Sequence, residues 1–263
     1  MAGDSFYKDH WINIDRERMD RYQHMFQWNQ DSFVLYEPAK IRSGHVVGDF
    51  GSGPGHTVVE IARWVGRNGH VHALDINSDF IAQTQNNAKA AGLGDRITAH
   101  QCDGPEIPLP NRFLDRLTTR NTLIYVDDAE ETIREFGRVL RTGGKAHVIE
   151  RDWPMMIVEP VRSKDWAAFV DAASRACRTP NIGRKLYGLM GLAGFTEIDV
   201  QVLTHPDTDG RLFPMIKNMA GYARGSGKMS EADIDQILST IEQAISDGSY
   251  LALAPQFIVT ATR

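Results

Sequence analysis

Cysteine is scarce: the chain has only Cys102 and Cys177, far apart and at no metal or redox spacing. That excludes a disulfide scaffold and favours a reducing, cytoplasmic compartment. No stretch of 18 consecutive apolar residues occurs, so no membrane-spanning helix is expected. Met1 to His10 carries Asp4 and Asp9 and lacks the apolar run of a secretory leader. A concentrated positive charge is missing as well. The densest basic stretch, Arg16 to Arg21, is broken by Glu17 and Asp20 and reads as a solvated helix face. With a net charge of −5, nucleic acid is not an expected partner. Internal repeats, low-complexity tracts and long linkers are also absent. At 263 residues, one domain with helical attachments is the simplest account.

What the chain does have is strand–helix alternation. Val46 to Phe50 is a short apolar strand running into Gly51-Ser52-Gly53-Pro54-Gly55. Val58, Ile61, Ala62 and Val65 then follow a helical stripe. Val71 to Ile76 reads as a second strand, with Ser78 as N-cap of a helix over Asp79 to Ala91. Ile97 to Gln101 is a third strand, and Leu114 to Tyr125 contains a fourth. Asp128 and Glu131 resemble a capping box for a helix whose face is Ala129, Ile133, Phe136 and Leu140. Thr142-Gly143-Gly144 should break that helix before a fifth strand, Lys145 to Glu150. Further helices are expected over Ser163 to Cys177 and Ile182 to Ala193, and strands over Glu197 to Thr204 and Gln256 to Thr262. An insertion from His205 to Pro255 carries a capping box at Ser230 and Asp233 and an apolar stripe from Ile234 to Ile245. The pattern predicts a Rossmann-like, doubly wound, mostly parallel α/β sheet of seven strands. Its expected division is a helical N-terminal cover (1–40), a core (41–152) and a completing half (153–263).

The Gly-rich turn lets backbone approach a ligand, and the helix after it offers unpaired N–H groups. A dinucleotide-binding turn would read G-x-G-x-x-G, but His56 stands at the third glycine. Asp75 ends the second strand, where an acid can take both hydroxyls of a ribose. His70 and His72 could share a strand face, yet no third ligand follows at a useful spacing, so no metal is expected.

Five segments, in order over residues 45–152, resemble the class I S-adenosylmethionine (SAM)-dependent methyltransferases, in particular the small-molecule group that includes the quinone-biosynthesis enzymes. They are Asp49 to Gly55, Ala73-Leu74-Asp75-Ile76, Gln101-Cys102-Asp103-Gly104, Leu114 to Asn121, and Arg138 to Gly144, where Thr142 replaces the usual proline. The resemblance implies SAM as cofactor. Asp49 would face the methionine ammonium, and Gly51, Ser52 and Gly53 would form the loop. Asp75 would hold the ribose hydroxyls with Ile76 against the adenine. Asp103 would accept from the adenine amino group between Cys102 and Gly104, and Asn121 would line the sulfonium pocket.

Methyl transfer from a sulfonium mainly needs donor and acceptor aligned in a water-poor pocket. An oxygen or carbon acceptor can also need a base. His24, Glu150, Asp152 and His205 are the candidates, with Asp152 and His24 put forward as catalytic. The N-terminal helices and the 205–255 insertion should close over the strand ends and form the pocket of a small methyl acceptor. Their aromatics and methionines favour an apolar or aromatic acceptor, with O- or C-methylation ahead of N-methylation. A SAM-binding catalyst of rearrangement or cyclisation is the rival class. Homodimerisation stays open.

Overall fold

A computed structural model describes residues 5–263, apart from the side chains of His24 and Asp31. Three helices come first: α1 (Phe6–Ile12), α2 (Arg16–Met25) and α3 (Phe33–Tyr36). The alternation then runs β1 (Val46–Phe50), α4 (His56–Val65), β2 (His70–Asp75), α5 (Ser78–Ala90), β3 (Ile97–Gln101), β4 (Leu114–Arg120), α6 (Ala129–Val139) and β5 (Leu140–Arg151). The second half adds β6 (Ile157–Glu159), α7 (Ser163–Ala173), α8 (Ile182–Leu192), β7 (Thr196–Leu203), α9 (Phe213–Ser226), α10 (Glu231–Asp247), β8 (Leu251–Leu253) and β9 (Gln256–Thr262). The main sheet has seven strands in the order β3-β2-β1-β4-β5-β9-β7. Its first five are parallel, and β9 runs antiparallel between β5 and β7.

The strand order reverses between β1 and β4, which opens a crevice at their carboxyl ends. β1 and β4 are buried along nearly their whole length, as strands covered on both faces must be. One face packs on the α4 stripe (Val58, Ile61, Ala62, Val65) together with Val47, Val71 and Ala73. Phe50, Leu117, Val148 and Phe136 anchor the larger core on the other face. No helix among the described residues is long and apolar enough to cross a membrane.

Several boundaries differ from the sequence reading. Asn77, not Ser78, caps α5, accepting the N–H groups of Asp79 and Phe80. α6 stops at Val139, and Leu140 already pairs with Leu114. Thr142-Gly143-Gly144 is therefore an irregularity inside β5, not a helix breaker. The small β6–β8 sheet went unforeseen because three-residue strands show no measurable period.

Candidate active site

The loop after β1 is pulled against β2: Leu74 O accepts the N–H groups of Gly51 (2.7 Å) and Ser52 (3.0 Å). Gly51 sits at φ +73°, and a Cβ there would run into the Thr122 side chain. At Gly53 (φ +54°) a Cβ would meet only Phe26, at 3.7 Å. The first glycine is thus needed for packing, whereas the second faces open space. Asp75, at the tip of β2, ties the loop down. Its Oδ2 accepts the Gly53 N–H at 2.7 Å and its Oδ1 the Asn77 N–H at 2.9 Å. Each oxygen keeps a second lone pair for an incoming hydroxyl. The outer side of the loop is held by Thr84 on Gly53 O and Asn87 on Pro54 O.

Burial pushes the Asp75 carboxyl up to about 6 against the pull of those backbone N–H groups. It pushes Asp49 up to about 7, although the Thr118 hydroxyl donates to it at 2.7 Å. Asp75 nearby raises Asp49 further, and Arg120 lowers it. Two acids so placed favour a ligand that brings positive charge and hydroxyl donors. Asn121, held at φ 52°, has a buried Oδ1 without a partner among the described residues.

Asp49, Gly51, Ser52, Gly53, Asp75 and Ile76 line one cavity of about 680 Å³. Cys102, Gly104 and Asn121 complete the wall. Asp103 departs from this set. Its exposed carboxylate pairs with Lys8 of α1 at 2.8 Å and is not part of the wall.

Asp152 also requires correction. Its side chain is fully buried, and both oxygens are taken by the Arg184 guanidinium at 2.6 and 2.7 Å. An acid clamped this way, buried and outside the cavity wall, holds α8 to the end of β5 with its charge paired to Arg184. His24 lies in α2, with its side chain outside the described residues. His205 is exposed and not on the wall. Glu150 does reach the wall, but from underneath. Its Oε1 accepts the N–H groups of Thr122 (2.7 Å) and Leu123 (2.6 Å).

Sequence reasoning missed Arg120 and Arg151, which line the cavity at the ends of β4 and β5. Strand ends were the available signal, but only acids and amides were sought there. Spacing along the chain also hid His100, which β2–β3 pairing sets beside His72. The two rings share a hydrogen bond at 2.9 Å, and no metal-ligating group of three occurs among the described residues.

Residues 47–144 match the family described as a methyltransferase domain. Motif order and sheet topology agree with this match and are similar to those of the class I methyltransferase group. A curated relative is the ubiquinone/menaquinone biosynthesis C-methyltransferase of Cellvibrio japonicus, 32% identical over 45% of this chain and 47% of that protein. The chain thus spans about half the length of the curated relatives it matches. Among solved structures, Haemonchus contortus phosphoethanolamine N-methyltransferase 2 superposes with a TM-score of 0.66 at 17% identity, covering 100% of this chain and 60% of that one. The [4+2]-cyclase SpnF gives 0.58 at 19% identity, covering 90% and 83%. At such identities the structural likeness is one of fold.

The open face of Gly53 yields a test. Gly53→Val should put a branched side chain into the cavity, at a φ that valine resists. We expect SAM binding to be lost in calorimetry while far-UV circular dichroism stays native. Normal binding by the variant would move the cofactor away from this loop.

Proposed function

We propose that the chain is a SAM-dependent methyltransferase that acts on a small organic acceptor. The observation that carries this reading is the convergence of Asp49, Asp75, Gly53 and Asn121 on one cavity at the topological switch point. The residues fit the cofactor. The Asp75 oxygens have capacity for ribose hydroxyls, Asp49 has a buried acid for the ammonium end, and Gly53 leaves the room that a side chain would fill. Cys102 and Gly104 extend the wall towards the adenine end. Asp103 would take its adenine role by releasing Lys8. Bound there, SAM supplies an electrophilic methyl group on a sulfonium.

The protein's own contribution is alignment and exclusion of water. Trp11, Tyr22 and Phe26 from the N-terminal helices and Leu212, Met215 and Met219 from the insertion line the cavity. They form an apolar acceptor space, and C- or O-methylation of a small metabolite is the reading we adopt. The test is stoichiometric. An acceptor turned over by the protein should yield one S-adenosylhomocysteine (SAH) per methylated product by mass spectrometry. Turnover without SAH would instead favour the cyclisation or rearrangement class, which the same fold supports in a [4+2]-cyclase.

In this reading residues 1–40 and the 205–255 insertion are the cover, and 41–152 is the cofactor core. The two attachments meet through Tyr22 and Tyr222, whose hydroxyls lie 3.2 Å apart. Lys8 bridges from α1 to Asp103 and Asp127 beside the cavity. A ligand beneath such a cover can leave only if the cover opens. Hydrogen exchange over 5–40 or 205–230 should therefore slow on adding SAH, and exchange in α6 should hardly change. Identical exchange with and without ligand would make these segments scaffold.

A further inference from the structure

Asp49, Thr118, Arg120, Ile149 and Arg151 share one face of the sheet: Asp49 pairs with Thr118, and Arg120 with Ile149. Along the carboxyl edge the charges run Asp75, Asp49, Arg120, Arg151, from β2 through β1 and β4 to β5. Adjacent strands lie ~4.8 Å apart, so Arg151 stands one strand and two residues beyond Arg120. Both guanidinium groups are half-buried and line the cavity. Arg120 has a buried Nε without a partner among the described residues. Among the described residues Arg151 makes no ion pair, and the charged or polar neighbours that shift it are Arg120 and Tyr125. Burial and the facing Arg120 push the Arg151 guanidinium down to about 10, the direction expected of a cation short of counter-charge. Its cross-strand neighbour on β9 is Gln256, whose buried amide nitrogen also lacks an acceptor among the described residues.

Two neighbouring cations of which only Arg120 has an acid, Asp49, in electrostatic range cost free energy unless an anion completes them. SAM carries a single carboxylate. Arg120, whose charge is felt at Asp49, is placed to meet it at the methionine end. Arg151 lies further along, where the acceptor space begins. We propose that the acceptor is an oxyanion, a carboxylate or phosphate on an apolar body, and that Arg151 holds its charged end. This inference rests on the methyl-transfer reading and adds a substrate class to it. A guanidinium suits this role because its planar N–H fork can pair with two oxygens at once.

The test uses SAH-saturated protein titrated with benzoate, inorganic phosphate and the neutral benzamide. SAH binding to the wild type is measured first, and its absence would overturn the cofactor reading and this inference together. With SAH bound, benzoate or phosphate should bind at least about tenfold more tightly than benzamide, as expected for a charge-assisted pair. The stronger of the two probes shows whether the site favours carboxylate or phosphate. Arg151→Met should erase the preference and leave SAH affinity within about twofold, since the charge contacts acceptor and not cofactor. Arg151→Lys should keep part of it, with thermal melting confirming that both variants fold. Failure of both anions to bind, or equal binding of benzamide, would overturn the proposal while the cofactor reading stands. A parallel loss of SAH affinity in Arg151→Met would assign the residue to the methionine carboxylate instead.

Discussion

Asp75→Ala should weaken SAM binding about a hundredfold, with the sheet intact. The carboxylate has two tasks: it holds the Gly53 and Asn77 N–H groups at 2.7 and 2.9 Å, and its remaining lone pairs meet the ribose. Two charge-assisted hydrogen bonds at the low end of their range, roughly 1.5 kcal/mol each, give about this loss, and a loosened loop adds to it. Asp75→Asn retains the shape but not the charge, and its amide nitrogen repels whichever backbone N–H it faces. It should fall between wild type and alanine. Calorimetry decides, with circular dichroism as the check on folding. Unchanged affinity in a folded variant would remove Asp75 from the ribose role. The same binding should depend on pH. Asp75 and Asp49, pushed up to about 6 and 7, must lose their protons to serve a cationic ligand. SAM affinity should therefore rise as pH increases from 5 to 8, and a flat profile would argue against both acids as contacts.

Local chemistry made the first half of the chain legible. A glycine run after Val46–Phe50, a stop at Asp75 and an Asp128 cap each announce an element within a few residues, and each was found where expected. The same signals placed nine of the ten expected cofactor residues on the cavity wall, because strand ends in this topology converge. Asp103 escaped because its partner Lys8 is distant in sequence, and no local pattern shows which of two ligands an exposed carboxylate will choose. Asp152 misled for a similar reason. As a candidate base just past the fifth strand it looks like a site acid, but Arg184 in α8 takes both its oxygens. Arg151 illustrates the converse: what marks it is the lack of an acid partner among the described residues, which only three dimensions reveal.

Glu150 separates the need for a hydrogen-bond acceptor from the need for a charge. Its side chain is fully buried, and Oε1 carries the Thr122 and Leu123 N–H groups. Its Oε2 is buried without a partner among the described residues. Burial pushes the carboxyl from its ordinary 4.5 up to about 8, although backbone N–H groups of residues 122–124 pull it down. The group is therefore mostly protonated at neutral pH. Because the folded pKa lies above the unfolded one, its stabilising effect is complete below about 4.5 and is lost as pH rises through 8. Glu150→Gln mimics the protonated acid and keeps an oxygen for both N–H groups. It should match the wild type near pH 5 and melt higher at pH 9, by a margin on the order of 5 °C. Asp49 and Asp75 titrate in both proteins, so the difference between the two isolates Glu150. Glu150→Ala instead leaves two buried N–H groups without an acceptor, each costing ~1–3 kcal/mol. It should melt well below the wild type at every pH, and Asn121 and Thr122 should lose their fixed place on the cavity wall. SAM binding should follow the same order, retained in Gln and weakened in Ala. Should Gln prove as destabilising as Ala at pH 5, the carboxyl would be acting as a buried anion, and the raised pKa would be refuted.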